Sequence, residues 1–130
     1  MAAWEEDKVI IAVPCSDDKG LESGIFAHFG RCPYFFILDT ETKDERVIPN
    51  TSEHLGGEGT PPALLANEGV TVLICEDLGR RAIMELSRLG IGVYVGANGT
   101  AGDAIEAWSK NELKSPQDEY ACKGHSQIGD

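Results

Sequence analysis

Histidine and cysteine, which bind soft metals, occur close together at two places in the chain. His28 and Cys32 lie in the run IFAHFGRC (residues 25–32), ahead of an apolar segment, and Cys122 and His125 lie near the carboxyl end. Thiolate and imidazole are the ligands that zinc and iron-sulfur clusters accept. We therefore name these four residues as candidate metal ligands. In the structural alternative, His28 is a surface loop residue, Cys32 packs beneath a hairpin, and the tail pair is solvated.

A second candidate site combines a histidine with a glycine-rich loop. His54 precedes the run GGEG (residues 56–59), and Thr60 and Pro61 then have the pattern of a helix start. Backbone N–H groups of such a loop, together with the helix dipole, can receive an anion. We name His54, Gly56 and Gly57 as candidate contacts for an anionic cofactor. The alternative is a flexible turn ahead of a capped helix.

Carboxylates at predicted strand ends raise the possibility of an enzyme. A nuclease of the ribonuclease H type needs clustered carboxylates that hold two magnesium ions. Asp17, Asp39, Glu76 and Asp77 lie near strand ends, but the first strand (residues 9–13) contains no carboxylate. The chain also contains no G-x-S-x-G motif. The sequence therefore predicts a binding protein instead of an enzyme, with a magnesium-dependent nuclease as the weakest alternative.

Length and charge limit the classes of partner. The chain has 130 residues, 42% of them hydrophobic, and a net charge of −11. An acidic surface repels nucleic acid and anionic membranes. The amino-terminal residues carry charges and lack the apolar region of a signal peptide. We expect a cytoplasmic protein that binds neither nucleic acid nor membrane.

The pattern of apolar runs predicts an α/β protein. Five apolar segments are typical of strands: residues 9–13 (ended by Pro14), 34–38, 45–48, 70–75 and 91–95. Helices are predicted after Thr60, after Asp77 and after Thr100, whose spacing to Asp103 is that of a capping box. An antiparallel hairpin followed by helix-linked strands predicts a mixed sheet. We place one domain at residues 1–114 and a polar tail at 115–130.

Three motifs carry a family resemblance. They are FAHFGRCPYF (residues 26–35), GVTVLI (69–74) followed by LGRRA (78–82), and LGIGVY (89–94) followed by a glycine-rich turn and Ala104. In this order they resemble the dinitrogenase iron-molybdenum cofactor biosynthesis family, as a small stand-alone member. The resemblance implies a three-layer, ribonuclease H-like fold with a mixed five-stranded sheet and about three helices.

The same resemblance implies a function. Family members related to nitrogenase assembly bind or carry iron-sulfur and iron-molybdenum cofactor precursors. This chain would then be a carrier of such a metallocluster, with Phe29 and Gly30 in the binding loop and a donor or acceptor protein as partner. The alternative is a metal-free interaction or regulatory domain with the same fold.

Overall fold

A computed structural model describes residues 9–52, 57 and 59–116 of the chain. Within that part, the strands are β1 (Ile10–Cys15), β2 (Tyr34–Asp39), β3 (Glu45–Pro49), β4 (Val72–Ile74) and β5 (Gly92–Tyr94). The α-helices are α1 (Pro61–Asn67), α2 (Arg80–Arg88) and α3 (Ala101–Ser109). The strands form one sheet in the order β3-β2-β1-β4-β5. The predicted α/β class, with a mixed five-stranded sheet and three helices, is confirmed.

The sheet has an antiparallel half and a parallel half that share β1. β2 pairs antiparallel with both β1 and β3, as the predicted hairpin requires. β4 pairs parallel with β1 and with β5. Because parallel strands point the same way, the carboxyl ends of β1, β4 and β5 lie at one edge of the sheet.

Strand alternation divides the core into two clusters, one on each face of the sheet. The first cluster, called here the cleft-side core, contains Phe35 and Leu73 and is covered by Leu65 of α1 and Leu86 of α2. The second, the α3-side core, contains buried strand residues such as Phe36 and is covered by α3. The molecule therefore has three layers, with α1 and α2 on one face and α3 on the other.

Helix caps follow the sequence prediction at two of three helices. The Thr60 hydroxyl accepts the N–H of Ala63, and Thr100 and Asp103 form both bonds of a capping box. The prediction that Asp77 caps the middle helix is wrong. Its carboxylate accepts the N–H of Leu78 at 2.8 Å, and α2 begins later, with Gly79 at the N-cap.

The prediction that Pro14 ends the first strand is wrong, because Pro14 lies inside β1. It stands opposite Phe35 in the register with β2. On the other side, β4 pairs only with Ile11 and Ala12, so the strand needs no N–H at Pro14. The Pro14 carbonyl instead accepts the N–H of Phe26 at 2.9 Å. This bond brings the loop that follows β1 back to the edge of the sheet.

The described residues contain no helix long and apolar enough to cross a membrane. At the carboxyl end of this part, Lys114 pairs with Val95 in an isolated antiparallel bridge. The division into a domain at 1–114 and a tail at 115–130 stays a prediction, since residues 117–130 lie outside the described part.

Candidate functional site

A cleft of about 780 Å³ opens at the edge where the parallel strands end. Ligands of open α/β sheets bind outside the carboxyl ends of the strands, and pockets of this size accommodate small molecules and cofactors. Its walls come from residues 27–31, the start of α1, the segment that follows β4, and the first turns of α2. The cleft therefore joins two of the sequence motifs that carry the family resemblance.

The His28 loop, defined as residues 26–32, forms the first wall and is fixed by its aromatic residues. Phe29 is 5% exposed and packs against Phe35, with ring centroids 5.7 Å apart. A short 3-10 turn follows, in which the Arg31 N–H donates to the His28 carbonyl at 3.0 Å. His28 is exposed and lines the cleft, and its ring lies in a T-shaped arrangement with that of Phe26, with centroids 6.3 Å apart. Burial of Phe29 thus anchors a turn that presents His28 to solvent.

Cys32 lies at the other end of the same loop but points into the protein. Its side chain is fully buried in the cleft-side core, and the residue does not line the cleft. Burial, together with the nearby Cys15, raises the pKa of the Cys32 thiol to about 12. The structure therefore does not bring His28 and Cys32 together in the cleft. As in the structural alternative, His28 is a surface loop residue and Cys32 is packed in the interior. Their joint binding of a metal stays a prediction.

Charged side chains of both signs line the cleft. Arg31 in the His28 loop and Arg81 in α2 are exposed on its walls. The carboxylates are Glu76, Asp77 and Glu85. Neither arginine forms an ion pair within residues 9–52, 57 and 59–116. Their guanidinium groups are available to an anionic ligand, in a chain whose net charge is otherwise strongly negative.

One carboxylate of the cleft bonds to a side chain of another helix. Glu85 accepts a hydrogen bond from the Thr60 hydroxyl at 2.7 Å, and this bond joins the start of α1 to α2. The same hydroxyl accepts the N–H of Ala63 and so caps α1. Glu85 therefore shapes the cleft, whereas Glu76 and Asp77 are exposed at its mouth.

The glycine residues of the two predicted sites differ in surroundings. Gly30 lines the cleft. Gly57 has its N–H bonded to the Ser52 carbonyl at 2.9 Å, and a Cβ there would lie 1.8 Å from the Thr51 carbonyl oxygen. Only glycine therefore fits this turn. The other predicted contacts, His54, Gly56, Cys122 and His125, lie outside the described residues, and their roles stay predictions.

The described residues contain no group of three or more histidine, cysteine or acidic side chains placed to hold a metal ion. Among the described residues that line the cleft, His28 is the one histidine or cysteine. Besides this imidazole, the described lining offers a ligand two exposed guanidinium groups and three carboxylates.

Sequence reasoning missed the two arginines and Asn50, which is 5% exposed behind the His28 loop. Arg81 could have been noticed, because it comes directly after the segment LGR (residues 78–80), which follows the parallel strand β4. Nothing local in the sequence indicates that Arg31 and Arg81 face one cleft, since the tertiary fold alone brings them together.

Comparison with known proteins identifies the family. The family model described as dinitrogenase iron-molybdenum cofactor matches residues 8–111. An uncharacterized protein of Methanocaldococcus jannaschii is 31% identical over 109 residues, which are 80% of this chain and 88% of the relative.

Solved structures agree with this match. The crystal structure of the protein PH0822 is 32% identical, with a TM-score of 0.70, over 82% of this chain and 96% of that protein. The NMR structure of a NifB-like protein from Thermotoga is also 32% identical, with a TM-score of 0.68, over 82% of this chain and 92% of that protein. The chain therefore belongs to the dinitrogenase iron-molybdenum cofactor family.

Proposed function

We propose that the protein is a carrier that binds an iron-sulfur or iron-molybdenum type metallocluster in the cleft and passes it to another protein. The observation that carries the proposal is the cleft itself, which the exposed side chains of His28, Arg31 and Arg81 all line. Membership of the family supports the class of cargo. The cluster is treated as cargo that must leave again, so few protein ligands are an advantage.

The residues in the cleft fit a sulfide-rich, anionic cluster better than a bare metal ion. A structural metal ion takes three or four protein ligands, and the described residues contain no group of three histidine, cysteine or acidic side chains placed to hold one. A cluster that brings its own sulfide ligands needs only one added ligand, such as His28. Arg31 and Arg81 then offset its negative charge through charge-assisted contacts.

Cys32 plays a secondary part in this proposal. A thiol must lose its proton before it binds a metal, and burial that raises its pKa to about 12 opposes this loss. His28 is exposed and needs no rearrangement to reach the cargo. We therefore rank His28 as the first ligand.

The test is anaerobic reconstitution with iron and sulfide, with and without molybdate, followed by metal analysis and an absorption spectrum. We expect His28→Ala to weaken cluster binding about tenfold or more, since loss of a ligand costs at least as much as loss of its supporting contacts. Cys32→Ala is expected to have the smaller effect.

A matched pair of arginine variants distinguishes the effect of a positive charge in the cleft from the effect of the net charge of the protein. Arg81→Gln removes a guanidinium that lines the cleft, whereas Arg88→Gln removes an exposed guanidinium from the last turn of the same helix. Uptake should fall in the first and stay unchanged in the second. No uptake by the wild-type protein would contradict the carrier proposal and favour the metal-free interaction domain.

A further inference from the structure

Asn50 makes four hydrogen bonds with backbone groups from a buried position directly after β3. Its backbone N–H donates to the Pro33 carbonyl at 3.0 Å. Its side-chain amide donates to the carbonyls of Cys32 at 2.9 Å and Gly30 at 3.1 Å, and its side-chain oxygen accepts the N–H of Ser52 at 3.0 Å. The residue is 5% exposed, so these bonds replace contacts with water.

These bonds join two segments that are distant in sequence. One is the end of the His28 loop, where Gly30 and Arg31 line the cleft. The other is the residue that directly follows β3, at the outer strand of the sheet. Asn50 is therefore placed to fix the His28 loop, the first wall of the cleft, to the end of β3.

The same amide also lies against the buried thiol. The Asn50 Nδ2 atom is 4.0 Å from the Cys32 Sγ atom, and the Cys32 side chain is fully buried. Movement of the His28 loop away from Asn50 would uncover this thiol. Exposure of Cys32 thus reports directly whether the loop is in place.

We infer that Asn50 is a positioning residue of the cleft. Its side-chain amide fixes residues 30–32, so that His28 and Arg31 face the cargo while Cys32 stays covered. The inference rests on the proposed function where it concerns cargo, but the positioning itself needs no ligand.

Asn50→Asp is the sharpest variant, because its side chain has almost the same shape. An ionised carboxylate can still accept the Ser52 N–H, but it cannot donate to the carbonyls of Gly30 and Cys32. It also places a negative oxygen against both carbonyls. Thr51→Ala is the matched control, since Thr51 is the next residue and is exposed. Asn50→Ser, which retains one hydroxyl donor, replaces the Asp variant if that variant does not fold.

The experiment measures iodoacetamide alkylation of each cysteine in the metal-free protein by mass spectrometry of its peptides. Cys75 is the internal reference, because it is fully buried directly after β4 and its backbone bonds to Tyr94 and Ala97 instead of to Asn50. In Asn50→Asp, we expect the rate at Cys32 relative to Cys75 to rise about tenfold or more, because two buried carbonyls lose their donors. Thr51→Ala should leave this ratio unchanged.

Two outcomes would overturn the inference. If Cys32 and Cys75 become reactive together, Asn50 supports the whole fold and not the loop. If neither rate changes, the bonds do not fix the loop.

The reconstitution assay is run in parallel on the same variants. Iron uptake reduced in Asn50→Asp supports the link to cargo, and equal uptake in both variants contradicts that link. Absence of uptake by the wild type contradicts the carrier proposal alone, because the alkylation ratio still decides the role of Asn50.

Discussion

Helices α2 and α3 have the same length, and each follows a parallel strand, but their amino-terminal ends are built differently. In α3 the Thr100 hydroxyl accepts the N–H of Asp103, and the Asp103 carboxylate accepts the N–H of Thr100, both at 3.1 Å. In α2 the N-cap is Gly79, and no side chain caps the helix. The first backbone N–H groups of α3 are thus capped by side chains of the same segment. The start of α2 has no such cap and forms part of the wall of the cleft.

The two faces of the sheet differ in the same way. On the α3 side, Trp108 packs edge-on against Tyr94 with ring centroids 6.2 Å apart, and Ala101 and Ala104 are fully buried. On the other side, the layer formed by α1 and α2 opens at the strand ends into the cleft. The comparison indicates that one face is closed by packing, whereas the other combines a core with an open cleft.

Alkaline pH should produce the largest difference between the two faces. Burial raises the pKa of Cys32 and Cys75, in the cleft-side core, to about 12, and that of Cys15, in the α3-side core, to about 11. Unfolded thiols ionise near pH 9, so above that pH the unfolded chain binds fewer protons than the native protein. The free energy of unfolding should therefore fall as pH rises from about 9 to 12, by about 1.4 kcal/mol per pH unit for each such thiol.

Urea unfolding between pH 8 and 12 measures this slope. Cys75→Ala should flatten it from about pH 9 to 12, whereas Cys15→Ala should flatten it only from about pH 9 to 11, because the native Cys15 thiol itself ionises near pH 11. Below pH 8 the thiols are protonated in both states, and neither variant should change the pH dependence there. Identical slopes in wild type and both variants would show that buried thiols do not govern alkaline stability.

Removal of the capping box is the next largest effect. Thr100→Ala should lower the free energy of unfolding by about 1 kcal/mol, because the N–H of Asp103 loses its acceptor. The midpoint of urea unfolding measures this loss. Iron uptake in the reconstitution assay should not change, since α3 packs on the face opposite the cleft. A loss of uptake as large as that in His28→Ala would contradict the division of the molecule into two functional faces.

Regular elements were predictable because each has an apolar run or a capping signal. The apolar runs of β1 and β2, the Thr60 cap and the capping box at Thr100 are all local patterns, and all are confirmed. The errors occurred where the chain lacks such a pattern. Asp77 has the residue type of a cap, but its carboxylate bonds to the next N–H, and α2 begins only after Gly79.

The candidate site was predictable only in part, because loops have no period from which burial can be deduced. The sequence predicted a site in the His28 loop, which lines the cleft, but nothing in the sequence shows that His28 is exposed while Cys32 is buried. The difference in exposure arises from two tertiary contacts, which no local sequence pattern predicts. Phe29 packs on Phe35, and Asn50 bonds to the carbonyl of Cys32.

The smallest effect on stability, and the most direct test of the comparison, is a new cap on α2. Gly79 has an extended backbone, and a Cβ there would meet no atom within 4 Å, so a longer side chain fits. Gly79→Asn and Gly79→Asp should each raise the free energy of unfolding by a few tenths of a kcal/mol, because either side chain accepts an orphan N–H of the first turn.

The two variants should differ in cargo binding, since only aspartate adds a negative charge beside Arg81 at the wall of the cleft. We expect iron uptake to fall in Gly79→Asp and to stay close to that of the wild type in Gly79→Asn. Reconstitution measures uptake, and urea unfolding confirms that both caps have formed. If both variants lose uptake equally, the added side chain blocks the cargo by its size, and the negative charge of aspartate has no separate effect. If neither does, the anionic cargo does not approach α2, and the contrast between the two helix ends concerns stability alone.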